Sequence, residues 1–351
     1  MFRYILVLLF CSPIIVFAQL GGSTVYEFVN TSSSAHEHAL GGGIISIDNG
    51  DVAFALKNPA ILDSSYSGKF SGSWGSLHVL QTEMGVGAFS YAHSFSNIHS
   101  FVGMQFLNYG KFDAYNESGM SEGTFFASEY ELIVGASYEI YPRIFAGYSF
   151  KPVFSFLESY SSIGILNDFA VSYKDKEHEM TASFVIKNAG FQITQYTDHS
   201  SREPVPFSID LGISKKLTHA PFRFTFTYQG LHDFDLSYER VLEDENNLIN
   251  QENQGPTKFD IFSRNFLNHM HLGADLLLFK SLNAHVGYNF RKAYEMTSGA
   301  SNNGVGFGFG MSLNLSYFSV SYGLSKQHVA GSTHYFTCTT NIENVYNRIK
   351  K

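Results

Sequence analysis

The sequence predicts an all-β chain: an antiparallel transmembrane β-barrel of about 14 strands. Three observations predict it. Hydrophobic residues recur with a period of two, many of the segments that do so are about ten residues long, and short and long connections alternate between them.

Composition removes most other classes. Of 351 residues, 44% are hydrophobic and 16% aromatic, yet only 15% are charged, against about 25% in soluble domains. A mean hydropathy of -0.06 is too polar for a bundle of membrane helices. The 31 glycines are too dispersed for a collagen-like repeat, and eight prolines with this apolar content argue against disorder. The net charge of -8 excludes a general nucleic-acid binder, which needs a basic footprint.

Residues 1–18 read as a cleaved secretory signal. Arg3 supplies the positive end, residues 5–17 a short apolar core, and Val16, Phe17 and Ala18 the cleavage site before Gln19. The apolar stretch is too short to span about 30 Å of hydrocarbon. Cys11 leaves with the signal, so Cys338 alone remains and no internal disulfide forms. Nothing later resembles a transmembrane helix.

Residues 19–66 lack strand alternation, and the resemblance set out below implies that they fold back as an N-terminal plug segment in the lumen. They hold Ala39, Leu40, Gly41, Gly42 and Gly43, then Lys57, Asn58, Pro59, Ala60, Ile61 and Leu62. The glycines give backbone freedom for turns in a crowded lumen. Pro59 biases Asn58 away from helix, and the Asn58 amide can close a local turn. An ordinary turn with no transport role is at least as good a reading of these motifs as a gate.

Residues 67–341 form the barrel. Strand-like segments fall near 68–76, 83–96, 99–109, 127–139, 143–156, 163–173, 177–187, 207–217, 221–230, 268–279, 282–291, 304–315, 317–325 and 332–340. Phe222, Phe224, Phe226 and Tyr228 alternate with Arg223, Thr225, Thr227 and Gln229; Val305, Phe307, Phe309, Met311 and Leu313 alternate with Gly306, Gly308, Gly310 and Ser312. The polar face is mostly Gly, Ser, Thr and Asn, short of the Lys and Glu of a wetted surface. Tight turns at 97–98, 141–142, 174–176, 218–220 and 280–281 separate long connections at 110–126, 188–206, 231–267 and 292–303. Outer-membrane barrels keep short turns on the periplasmic side and long loops outside. Most of the acidic excess sits in 231–267, including Asp244 and Glu245, either as a solvated loop or as a docking surface for a partner or for divalent cations. Residues 342–351 form a periplasmic tail after Tyr335 and Phe336, so the chain does not end on the aromatic residue of a last strand.

Catalytic motifs are absent: no nucleophile elbow, phosphate loop or zinc motif occurs, and no catalytic residue, cofactor or metal is expected. His36, Glu37 and His38 lack the spacing of a helical zinc pair. His269 and His271 share a strand face with Asp275, and His285 on the next strand points the same way. A lumenal polar cluster is the first reading of this group, a metal site the lesser one.

In order and spacing, Tyr26, Glu27, Phe28 and Val29, then Ala39 to Gly42, then Asn58 to Leu62, then Asn108 to Phe112 with Gly119, Gly123, Thr124 and Phe125, resemble the PorQ/PorV-type outer-membrane proteins of the type IX secretion system, a branch of the FadL-like barrels. The resemblance runs from these N-terminal motifs through the barrel. It implies a non-enzymatic outer-membrane component that anchors a PorZ-like surface protein, in a complex with a PorU sortase-like protein and a PorV barrel, which processes secreted proteins and attaches them to lipopolysaccharide. The partner surface would be 110–126, 188–206 and 231–267, with Tyr109, Phe112, Tyr115, Phe125 and Phe126 as an aromatic patch or as the barrel's interfacial girdle. The FadL-like likeness implies the alternative, a transporter of hydrophobic small molecules embedded in outer-membrane lipid.

Overall fold

The structure, a computed structural model, describes residues 24–79, 82–197, 201–234, 257–279, 281–296, 304–328, 331–343, 345 and 350. The expected signal, Gln19, and most of the C-terminal tail lie outside them. Fifteen β segments follow in order: β1 (Lys69–Val79), β2 (Thr82–Phe95), β3 (Ile98–Tyr115), β4 (Ser121–Tyr141), β5 (Ile144–Leu157), β6 (Tyr160–Asp175), β7 (Met180–Lys187), β8 (Phe191–Thr194), β9 (Ser208–Lys216), β10 (Phe222–Tyr228), β11 (Met270–Leu277), β12 (Leu282–Asn289), β13 (Phe307–Asn314), β14 (Phe318–His328) and β15 (Gly331–Asn341). All pairings are antiparallel, and β1 meets β15 with Trp74 opposite Phe336, so the sheet closes on itself. Segments β7 and β8 lie end to end along β6 and count as one interrupted strand. The result is a closed 14-stranded transmembrane barrel.

Alternation by itself could not say which face is wet. In the barrel, Leu132, Val134 and Tyr138 of β4 and Phe307, Phe309, Met311 and Leu313 of β13 are exposed, while Glu131, Ile133 and Ser137 are buried. The apolar face therefore looks outward to lipid, as in membrane barrels.

Four predicted loops carry structure of their own. Strands β3 and β4 continue through 110–126, turning only at 116–120; both faces are wetted there, so period two has no hydrophobic signature. The connection 188–206 contains β8. The segment 231–267 gives way to α2 (Lys258–Asn268) and 292–303 to α3 (Phe290–Glu295). Helix α2 opens with a capping box, Thr257 and Asp260 each bonding the other's backbone N–H.

Inside the wall runs the N-terminal segment. Its helix α1 (Ala35–Ala39) is capped by Ser34 and completely buried, and 3-10 turns follow at Val52–Leu56, Pro59–Ile61 and Ser64–Tyr66. Leu40, Ile44, Ile47, Phe54, Leu56 and Ile61 make one apolar core with Ala88, Phe101 and Ile133 of the wall. The strand glycines make room for it: a Cβ on Gly287 would lie 2.0 Å from the Leu40 carbonyl carbon, and one on Gly308 2.5 Å from the Ala39 oxygen. Only glycine lets two backbones approach so closely.

Candidate functional site: the plugged lumen and a seam in its wall

The glycine motif turns the chain out of α1. Gly41, Gly42 and Gly43 have φ of 91°, 79° and 71°, and their amides are received by the His38 carbonyl, the Glu37 carbonyl and the Glu37 carboxylate. Glu37 is fully buried, and its other oxygen accepts from the Ser33 N–H at 2.7 Å and hydroxyl at 2.8 Å. Asn58 caps the turn Pro59–Ile61 by accepting the Ala60 N–H at 3.0 Å. Its amide donates to the Ile45 carbonyl at 2.7 Å and to Ser183 of β7 and Ser172 of β6 at 3.0 and 3.1 Å. Ala39, Leu40, Gly41, Gly42, Asn58, Pro59 and Ala60 thus all sit in the lumen against the wall.

Charge inside the barrel departs from the expected Gly, Ser, Thr and Asn lining. Lys151 of β5 pairs with Glu131 of β4 at 3.0 Å and Asp168 of β6 at 3.1 Å. Lys187 of β7 pairs with Asp210 of β9 at 2.5 Å. Lys174 of β6 reaches the plug's Asp48 and Asp63 at 3.2 and 3.3 Å. The plug's Lys57 donates to the Val29 carbonyl at 2.6 Å and to Gln105 at 3.0 Å. Burial lowers its ammonium to about 8, partly opposed by the nearby Glu37 and Glu131 carboxylates. Apart from Lys57 in the plug motif, the sequence analysis does not single these residues out, although the inward parity of Glu131, Lys151 and Asp168 was a usable signal.

A second polar cluster joins plug and wall. His36 Nε2 and His285 Nδ1 approach the same oxygen of Asp275, at 2.9 and 2.8 Å. Asp275 and His285 share this cluster as their parity predicted; His271 instead meets the Gly42 carbonyl at 3.2 Å and His269 the Gln229 carbonyl at 2.5 Å.

Between plug and wall lies a cavity of about 1270 Å³, lined by plug residues Glu27, Val29 and Lys57, by wall residues such as Lys151 and Asp168, and by 202–208. It borders a break in the wall. Asn188 (φ 57°) ends β7, and a Cβ on Gly190 would lie 1.9 Å from the Ile165 oxygen. Among the described residues β8 then pairs only with β6, while β9 starts at Ser208 opposite Lys187. Between β8 and β9 the backbone ladder is replaced by a side-chain seam: Asn188 donates to the Pro206 carbonyl at 2.9 Å, and Gln192 accepts the Glu203 N–H at 3.1 Å. Pro204 and Pro206 have no N–H for a ladder. Behind the seam, Tyr196 and Val205 pack on an apolar cluster of Val25, Tyr26, Phe28, Val29, Val153 and Leu166, and the Val25 N–H donates to the Pro204 carbonyl at 3.0 Å.

The aromatic patch divides. Tyr109 turns toward the lumen and donates to Glu129 at 2.6 Å. Phe112 stacks on Phe125 across the hairpin, centroids 5.3 Å apart, and Tyr115 and Phe126 are exposed on it. Asp244 and Glu245 lie outside the described residues.

Solved structures share this architecture. The toluene transporter TbuX of Ralstonia pickettii superposes with a TM-score of 0.52 at 10% identity, over 90% of this chain and 100% of its own. The monoaromatic hydrocarbon channel CymD gives 0.50 at 12% identity, over 90% and 97%. The fold is that of these hydrocarbon channels. A FadL homologue of Pseudomonas aeruginosa superposes at 0.46 and 8% identity, over 89% and 99%, too distant to add to that argument. No family model and no curated protein matches the sequence. The closed barrel supports an outer-membrane location, and these structures bear on the fold alone.

Proposed function

We propose that the chain is a non-enzymatic outer-membrane channel for small hydrophobic or amphipathic molecules, exported by a cleaved signal at residues 1–18. One observation carries this reading: the lumenal cavity meets the wall where the backbone ladder is broken and an apolar cluster lies behind the break. A molecule with an apolar body and a polar end finds both surfaces there, the Val25, Phe28, Val29 and Val205 side chains and the charged cavity lining. The hydrocarbon channels of the same fold support the cargo class. Proteoliposomes carrying the purified chain test it: labelled monoaromatic compounds are expected to enter faster than into empty vesicles, and Val205→Trp, which fills the seam, to slow them severalfold. Equal uptake with and without the protein would reject the reading.

A second reading, anchoring of a PorZ-like surface protein beside a PorU sortase-like protein and a PorV barrel at the lipopolysaccharide surface, is favoured by the β3–β4 hairpin. At 18 and 21 residues these are the longest strands, and they carry the exposed Tyr115 and Phe126 beyond the wall. Co-purification of such partners with the wild-type chain, and their loss on deleting 111–124, is its test.

A further inference from the structure

We propose that His36, Asp275 and His285 form a binding site for a divalent transition metal, best suited to zinc, which staples the plug to the barrel wall. The three residues come from α1, β11 and β12, and Asp275 and His285 face each other as a cross-strand pair. Their side chains are 6%, 1% and 1% exposed. The imidazoles face each other with centroids 3.9 Å apart, and the three donor atoms lie within 4.8 Å of one another.

Two imidazole nitrogens and one carboxylate oxygen are a donor set that zinc takes readily, with water completing four-coordination. Metal–ligand bonds of about 2.0–2.1 Å place tetrahedral donors roughly 3.3 Å apart. The 2.8 and 2.9 Å separations of the hydrogen-bonded cluster therefore need to open by only about half an ångström.

The surroundings already supply what such ligands require. A metal-bound imidazole uses its other nitrogen as a donor, which fixes the ring. His285 Nε2 lies 2.7 Å from the Ser312 hydroxyl, itself 2.7 Å from Ser321. His36 Nδ1 lies 2.8 Å from the Asn49 side-chain amide, which presents its oxygen after a half-turn. On binding, the proton at each ligating nitrogen moves to the opposite nitrogen, so neutral rings remain neutral. The second oxygen of Asp275 faces Arg223 Nη1 at 3.6 Å, as an outer partner of a monodentate carboxylate does. His36 is the only plug residue of the three, so the site is complete only when the plug is seated.

The test uses the full-length chain in detergent, stripped with chelator and titrated with zinc, and separately with cobalt, whose visible bands report nitrogen and oxygen ligation. One equivalent of zinc per chain is expected, with a raised unfolding temperature. His36→Ala and His285→Ala should abolish both, and Ser312→Ala, which touches only the outer nitrogen, should weaken binding by roughly 10–100-fold. Heat-modifiable gel mobility verifies that each barrel is folded, and Ser312→Ala decides the matter should the ligand variants not fold. Sub-stoichiometric binding by the wild type, or unchanged affinity in folded His36→Ala or Ser312→Ala, overturns the proposal. Solute uptake is a separate readout, so failure here leaves the channel reading standing.

Discussion

At the residue scale, the plug is held by single polar side chains whose loss leaves buried partners behind. Asn58 satisfies a backbone N–H, a carbonyl and two wall serines at once, so Asn58→Ala is expected to destabilise the folded barrel by about 1–3 kcal/mol, measured by urea unfolding. His38 adds a pH dependence. It stacks on Tyr335 and donates to the Thr333 carbonyl, and burial lowers its pKa to about 4. The unfolded chain binds the proton near 6.5, so between about 6.5 and 4 it holds more protons than the folded state, and stability falls as the pH falls. A loss on the order of 2–3 kcal/mol is expected across that window, and His38→Gln should flatten the profile. The Asn-Pro-Ala motif was legible from the sequence as a capped turn. Its partners Ser172 and Ser183 were not, because they come from strands more than a hundred residues away.

At the scale of elements, the strands were readable and their ends were not. Segments such as 222–229 and 304–315 show their two faces because one side meets lipid and the other the plug. Above the membrane that contrast disappears, so the extension of β3 and β4 gave no signal, and neither did the four-residue β8. The polar face was read as small and neutral because glycine and serine dominate it, yet Lys151, Asp168 and Lys187 occupy it in neutralised pairs. Such pairs avoid the cost of a lone buried charge. The inward glycines make a sharper expectation. Gly287→Val puts carbon into the Leu40 backbone; it should lower stability by at least about 1–3 kcal/mol and leave residues 24–66 open to added protease, while Val286→Leu on the outer face should not.

At the scale of the whole molecule, one chain encloses its own residues 24–66, and the wall opens its ladder where that segment touches it. The barrel was within reach of hydrophobic period and loop length, its outward apolar face of these and of the small residues opposite it, and the plug of the family resemblance alone. The seam was not, since it arises from Asn188, Gly190, Pro204 and Pro206 acting together across a connection that reads as an ordinary loop. On the proposed reading, molecules pass between cavity and membrane through this seam. The direct measurement is uptake into proteoliposomes by a Gln192→Cys, Glu203→Cys double variant in a Cys338→Ser background. Oxidation that closes the seam should reduce monoaromatic uptake to the level of empty vesicles, and reduction should restore it. Uptake unchanged by a demonstrated cross-link would contradict the claim.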